Sequence, residues 1–320
     1  MCESHTVTII TRSLKITRHE IRVILSKWIR YFLFPWFLNI SVMPYYGPAR
    51  VAHSLCFGLK KLGKKYHINP RKADMSHITC VLSDVAALKW AIREKKKGNI
   101  EYIFAGPNIV TMPSDYNNIL CAPEINCCIV NSEWVMQLYV NSAPCLKNRI
   151  RIWAAGVDQV KDLQLARTHF LVYKKNVPED IFQFVIDTLR EINIPFKVII
   201  YGEYIQKEYR DLLQGTCGMI YLTAHESQGM ALQEAWMCDV PTLVWSRGIF
   251  KLKDISAPAS SAPYLTNDCG LFFTSKHDFV DSFMLFRARL TDFNPRDYAE
   301  KNLNHANAAQ RYLDIINEFV

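Results

Sequence analysis

GMIYLTAHESQGMALQEAWMCDVPTLVW, running from Gly218 to Trp245, is the stretch whose reading decides the fold. Gly218 to Thr223 is a β-branched and aromatic run of strand type, and Thr242 to Trp245 is a second one. Between them lie a polar loop, Ala224 to Gln228, and a segment rich in helix formers, Gly229 to Cys238. Asp239-Val240-Pro241 stops that helix, because proline has no N–H to donate and the residue before it avoids α geometry. The unit is strand, loop, helix, strand. Such units form right-handed crossovers between parallel strands, which puts the loop and the helix start at the carboxyl edge of the sheet, where open α/β sheets bind ligands.

The residue types at that edge indicate the kind of ligand. Gly229 at the helix start lets backbone approach closely, and the free N–H groups of the first turn with the helix dipole favour an anion such as a diphosphate. Glu226 stands in the loop, and Glu234 lies about 7 Å further along the helix axis than Gly229. Carboxylates accept hydrogen bonds from neighbouring hydroxyls, so two of them flanking a phosphate site suit a sugar attached to a nucleotide.

The spacing Glu226-x7-Glu234, with Gly229 inside it and Glu-Ala and Pro241 after it, resembles the signature of retaining glycosyltransferases of the GT-B fold, especially family 4. The resemblance implies two Rossmann-like domains facing across a cleft. It assigns Glu226 to the donor-sugar hydroxyls at the reacting centre, Gly229 and Met230 to the diphosphate, and Glu234 to the ribose. Ser227 and Gln228 stand where the family usually has glycine and an aromatic, and Gln228 joins the candidate donor-binding residues. No catalytic base is assigned.

At 320 residues the chain is long enough for two domains. Half of its residues are hydrophobic and 21% are charged, a globular composition. Its formal net charge is +8, and residues 1–36 carry six basic groups against two acidic ones. The ten cysteines include no C-x-x-C pair, which fits reduced, buried thiols in a cytoplasmic protein better than a disulfide framework or a zinc site. His225-Glu226 begins like a zinc-protease H-E-x-x-H, but Gly229 occupies the second histidine position. No Asp-x-Asp, Walker loop or G-x-S-x-G elbow occurs. Neither metal nor cofactor is expected beyond the nucleotide-sugar co-substrate. The basic residues are scattered and no RNA motif is present, so nucleic acid is not expected as a partner.

Residues 1–19 show no clear pattern. Residues 20–38 interleave Arg22, Lys27 and Arg30 with Ile, Leu, Trp, Tyr and Phe, and the uncharged run from Tyr31 to Pro44 is too short to span a membrane. A basic, aromatic helix at a membrane interface, making a peripheral contact, is one reading; a helix packed on the domain is the other. Phe37 to Met43 reads as the first buried strand, followed by a turn containing Gly47 and a helix through Lys61. By resemblance Gly47 faces the donor phosphates.

Strands Ile78 to Leu82, Ile100 to Phe104 and Cys127 to Val130 alternate with helices Asp84 to Lys97 and Ser132 to Tyr139, which argues a parallel sheet. Ala154-Ala155-Gly156-Val157-Asp158 resembles the family's turn at the domain junction. The expected division is an extension (1–36), an acceptor domain (37–155) and a donor domain (156–320) whose last helix crosses back. In the donor domain, strand His169 to Tyr173 leads into Lys174-Lys175; the family's Gly-Arg pair is missing, and one or both lysines are expected at the diphosphate. Later segments are a Ser/Ala/Pro-rich loop, Ser256 to Pro263, expected to be mobile, a strand near Leu271, and helices Asp278 to Leu290 and Pro295 to Phe319. The implied activity is transfer of a sugar, with retention and without a metal, to the hydroxyl of a glycan, a lipid-linked acceptor or another acceptor. A nucleotide-sugar epimerase and a catalytically silent nucleotide-sugar-binding protein are the alternatives.

Overall fold

A computed structural model describes residues 6–11, 47–71, 74–159 and 165–320. Six short strands build the first sheet: β1 (Val7–Ile10), β2 (Tyr66–Ile68), β3 (Ile78–Val81), β4 (Tyr102–Ala105), β5 (Cys127–Val130) and β6 (Ile150–Ile152). Their order is β2-β1-β3-β4-β5-β6, every pairing parallel. Helices α1 (Gly47–Lys61), α2 (Val85–Lys96) and α3 (Glu133–Ser142) cover it. Strands β3 and β5 are buried along their whole length, as expected for a sheet with helices on both faces.

The basic aromatic stretch at 20–38 and the strand expected at Phe37 to Met43 lie outside the described residues. The strand between β2 and β3 is Val7–Ile10, so residues 7–10 belong to the first sheet and not to an extension. Val7 to Ile9 are all buried, and a four-residue run buried on both faces has no period-two alternation to announce it.

The second sheet contains β7 (His169–Lys175), β8 (Phe196–Ile200), β9 (Thr216–Thr223), β10 (Thr242–Trp245) and β13 (Gly270–Phe273), in the order β13-β10-β9-β7-β8. All its pairings are parallel. Its helices are α4 (Glu179–Glu191), α5 (Gln206–Gln214), α6 (Met230–Met237), α7 (Lys276–Ala288), α8 (Pro295–Asn302) and α9 (His305–Asn317). In each sheet the chain runs to one side after its first strand and then to the other, so the order reverses beside β1 and beside β7. These reversals open a crevice at the carboxyl ends of the strands.

The segment Ser256 to Pro263, expected to be a loop, begins in a strand with Ser256 and Pro258 exposed and ends with Ser261 and Ala262 buried. Strands β11 (Ile249–Leu252) and β12 (Ile255–Pro258) form an antiparallel hairpin whose buried Phe250 joins the core of the first domain. Ser261 is buried and its hydroxyl donates to Thr223 O at 2.8 Å. The helix expected from Pro295 to Phe319 divides into α8 and α9. Asn304 forms a parallel bridge with Val157, and its side chain caps α9 by accepting from Asn307 N at 2.9 Å.

Helix α9 lies on α1 and adds Ala308, Ala309, Tyr312, Ile315 and Ile316 to the first domain's core. The approach is too close for a side chain at Gly58, where a Cβ would sit 2.1 Å from His305 O. The Trp153 indole N–H donates to Ala308 O at 2.7 Å.

Candidate active site

Register places Lys175, the last residue of β7, opposite Thr223, the last residue of β9, at the point where the second sheet reverses. Successive strand side chains point to opposite faces, and this separates the two adjacent lysines. Lys174 turns outward: its Nζ donates to Glu179 at 2.6 Å and lies 4.0 Å from the centroid of Phe182. Lys175 turns to the cleft, where its Nζ donates to Glu226 Oε1 at 2.6 Å and lies over Tyr201. The structure therefore brings Lys175, and not Lys174, to the loop glutamate.

Glu226 is held from several sides. Its Oε1 also accepts from the Tyr221 hydroxyl at 2.7 Å, its N–H donates to Ser260 O at 2.9 Å, and its carbonyl accepts from the Trp134 indole at 2.8 Å. Tyr221 stacks on Tyr173, whose hydroxyl pairs with that of Tyr204 at 2.7 Å. Burial first, and then the Glu226 charge, push the Tyr221 phenol far above its ordinary range, so it stays a donor to the carboxylate. His225 packs edge-on against Trp134 and Phe250, and burial lowers its pKa.

Gly229 precedes α6 with φ +84°, a left-handed conformation that favours glycine, and so aims the helix start at the same loop. Residues Ala231 to Met237 are all buried, which leaves two polar side chains of α6 inside the protein. Glu234 is 3% exposed, and its Oε1 accepts from Arg50 of α1, across the cleft, and from Gln206 Nε2 at 2.5 Å. Arg210 lies 3.8 Å away. Burial alone would lower the Arg50 pKa, but the Glu234 carboxylate outweighs it and raises it. Glu234 Oε2 is buried without a hydrogen-bond partner. Buried acceptors are rarely left unpaired, and this one lies on the helix that forms the cleft wall.

Gln228 sits differently from a ligand-binding side chain. Its Nε2 donates to Ala155 O at 2.7 Å and to Gln233 Oε1 at 2.8 Å, while its Oε1 accepts from Asn131 Nδ2 at 3.2 Å and Ala155 N at 3.1 Å. Both ends of the amide are thus engaged in joining the two domains. Met230 flanks it, with its sulfur 3.0 Å from Gln228 Nε2. Gly47 is the first residue of α1, one turn from Arg50.

Arg50, Asn131 and Trp134 are contacts that sequence reasoning did not assign. Asn131 and Trp134 lie on either side of Ser132, the residue that precedes α3, so the strand-to-helix transition there was the available signal. Arg50 lay in the turn region already singled out around Gly47.

Behind the cleft, the Ser54 hydroxyl accepts from Gly156 N at 2.7 Å and pairs with His305 Nδ1 at 3.1 Å, while His305 Nε2 meets Asp158 Oδ1 at 2.9 Å. Arg210 donates to the other Asp158 oxygen. The His305 bond, with Arg210, holds Asp158 well below the usual carboxylate range. His53, Asp158 and His305 present metal-ligating atoms within 4.8 Å of one another. Both oxygens of Asp158 are already engaged and a guanidinium adjoins it, so the cluster is a brace at the domain junction.

No protein-family model matches the sequence, and no curated protein matches it. Solved structures match its fold. The chain is similar to the apo form of the lipopolysaccharide outer core galactosyltransferase WaaB, at 14% identity and TM-score 0.56, over 98% of this chain and 100% of that one. It is similar to WaaG, a glycosyltransferase involved in lipopolysaccharide biosynthesis, at 11% identity and TM-score 0.51, over 86% and 97% of the two chains. TarM aligns at 12% identity and TM-score 0.51 over 83% of this chain, which spans 58% of TarM. Among the described residues no helix is long and apolar enough to cross a membrane. The architecture is of the GT-B fold type, two Rossmann-like domains each built on a parallel sheet.

Proposed function

We propose that the protein is a glycosyltransferase that moves a sugar from a nucleotide-diphosphate sugar to an acceptor hydroxyl, with retention at the anomeric carbon and without a metal. The observation that carries this reading is the joining of Lys175, Glu226 and the Gly229 helix start at the strand-order reversal of the second sheet. An ammonium and a helix N-terminus at one spot favour a diphosphate, and they stabilise the negative charge that grows on it as the sugar departs. Glu226, beside them, accepts from sugar hydroxyls and orients the donor. Glu234 lies further along α6, and its unpartnered oxygen is suited to a ribose hydroxyl.

The acceptor falls to the first domain, whose sheet edge supplies the facing wall; a glycan or a lipid-linked hydroxyl is the class this fold type suggests. The structural neighbours that are glycosyltransferases by name support the reading. Peripheral membrane contact through residues 20–38 and a cytoplasmic location belong to the same proposal.

The test is a thermal-shift screen of the purified protein against UDP-, GDP- and ADP-sugars with no metal added. A ligand a hundredfold above its dissociation constant adds about 2.7 kcal/mol of stability. One nucleotide class should shift the transition, and Glu234→Ala should weaken both that shift and sugar transfer to acceptor. No shift with any class, or full transfer activity in the variant, would overturn the assignment.

A further inference from the structure

Two short 3-10 turns of the first domain, Ile119–Cys121 and Pro144–Leu146, bring a pair of thiols together at the surface. Cys145 Sγ lies 2.6 Å from Cys121 Sγ. Cys145 is exposed and Cys121 partly so, whereas Cys56, Cys80, Cys127, Cys128, Cys238 and Cys269 are buried. Arg149 ties the two turns: its Nη1 donates to Ala122 O at 2.7 Å and Ile125 O at 3.0 Å, and its Nε donates to Cys145 O at 3.4 Å. The juxtaposition is therefore built by backbone contacts on both sides, not by chance approach of two flexible side chains.

We propose that Cys121 and Cys145 are a redox-modification site that closes to a reversible disulfide by exchange with a low-molecular-weight disulfide such as oxidised glutathione. The Cys145 thiolate attacks one glutathione sulfur. The glutathione S–S bond breaks, and one glutathione leaves as a thiolate that takes a proton. Cys121 then loses its proton and attacks the Cys145 sulfur of the mixed disulfide, releasing the second glutathione. Two protein thiols are oxidised and one glutathione disulfide is reduced to two thiols. Exposure puts Cys145 first. Burial, and then the neighbouring Cys145, raise the Cys121 pKa to about 11 against the lowering effect of Arg149, so Cys121 acts in the second step because it is held beside the Cys145 sulfur.

The bond would act on the first domain's side of the cleft. Tyr116, Asn117 and Asn118, just before the first turn, all have left-handed φ values, +53°, +59° and +55°. Tyr116 lines a cavity of about 500 Å³ with Ser83, Asp84, Lys89 and Ile109, at the carboxyl ends of β3 and β4. The second turn follows α3, whose Trp134 holds the Glu226 backbone. The disulfide thus joins the rim of that cavity to the helix that touches the candidate active site.

The full chain is incubated with oxidised glutathione, alkylated and analysed by intact mass and peptide mapping. Before alkylation the expected product is two hydrogens lighter than the reduced chain; it contains a Cys121–Cys145 cross-link that resists alkylation and reverts with dithiothreitol. Cys121→Ser should stop at a glutathione mixed disulfide on Cys145, and Cys145→Ser should yield no cross-link at all. Alkylation of both thiols after oxidation, or a cross-link through another cysteine, would overturn the site. Amide exchange across 109–121 should slow in the oxidised form, and unchanged exchange would overturn the bracing role. None of these readouts needs a nucleotide sugar, so the outcome is separate from that of the proposed activity.

Discussion

Arg50→Met tests whether the ion pair across the cleft occupies the proposed ribose site or builds it. Methionine keeps much of the aliphatic length of the arginine stem, so the loss is mainly of charge and hydrogen bonds. Removing one partner of a buried pair costs about 3–5 kcal/mol. Glu234 here keeps Gln206 at 2.5 Å and Arg210 at 3.8 Å, which lowers the expected cost to about 2 kcal/mol. At roughly 2–4 °C per kcal/mol, the melting transition should fall by about 4–8 °C.

Nucleoside affinity should move the other way. In the native protein one ribose hydroxyl takes the unpartnered Glu234 Oε2, while its neighbour reaches Oε1 only by displacing the Arg50 guanidinium, a charge-assisted bond of about 1.5–3 kcal/mol that Arg50 recovers in part from other acceptors. Without it, uridine, guanosine or adenosine, whichever matches the donor class, should bind about tenfold more tightly, which is about 1.4 kcal/mol. Differential scanning fluorimetry and titration calorimetry on the same samples give both quantities. A lower melting temperature with weaker or unchanged nucleoside binding would refute the reasoning and show Arg50 to be part of the ribose site.

The two lysines should separate by function. Lys175→Met removes the ammonium at Glu226 and should lower kcat/KM for transfer about a hundredfold or more, whereas Lys174→Met breaks the pair with Glu179 and the contact with the Phe182 ring, neither of which touches Glu226, and should stay within about threefold; steady-state kinetics decides. Asp278 caps α7 by accepting from Thr274 and Ser275, and these bonds outweigh the opposing effect of burial to lower its pKa to about 2. A depressed folded pKa contributes stability that is present above about pH 4 and lost as pH falls towards 2. Asp278→Asn should therefore cost about 1 kcal/mol at pH 7 and flatten the stability profile between those values, as denaturant titrations at each pH would show.

How much of this was legible in the sequence follows from the range over which each feature is determined. The central unit is local: strand β9, the glycine before α6 and the proline after it announce themselves within 28 consecutive residues, Gly218 to Trp245. Alternating strands and helices carried the sheet architecture for the same reason. What failed locally was the short or fully buried strand, as at Val7–Ile10. The hairpin at 249–258 was missed because its packing partner, the first domain's core, is remote in sequence. Lys174 and Lys175 are indistinguishable by type, and only the strand's extension through Lys175 turns one outward and the other to Glu226.

The cleft itself is a non-local object, and this is where residue type alone misleads. Gln228 lies in the motif, yet its amide bonds the backbone of Ala155 and the side chain of Asn131, 97 positions away. Arg50 lies outside the motif, yet it meets Glu234 across 184 positions. A buried polar side chain needs partners, and in a two-domain protein the nearest ones belong to the other domain. The motif therefore marks which helix and loop face the ligand, while the opposing domain decides which of their polar groups remain free to bind it. Glu234 Oε2 is such a group by that criterion, and Gln228 is not.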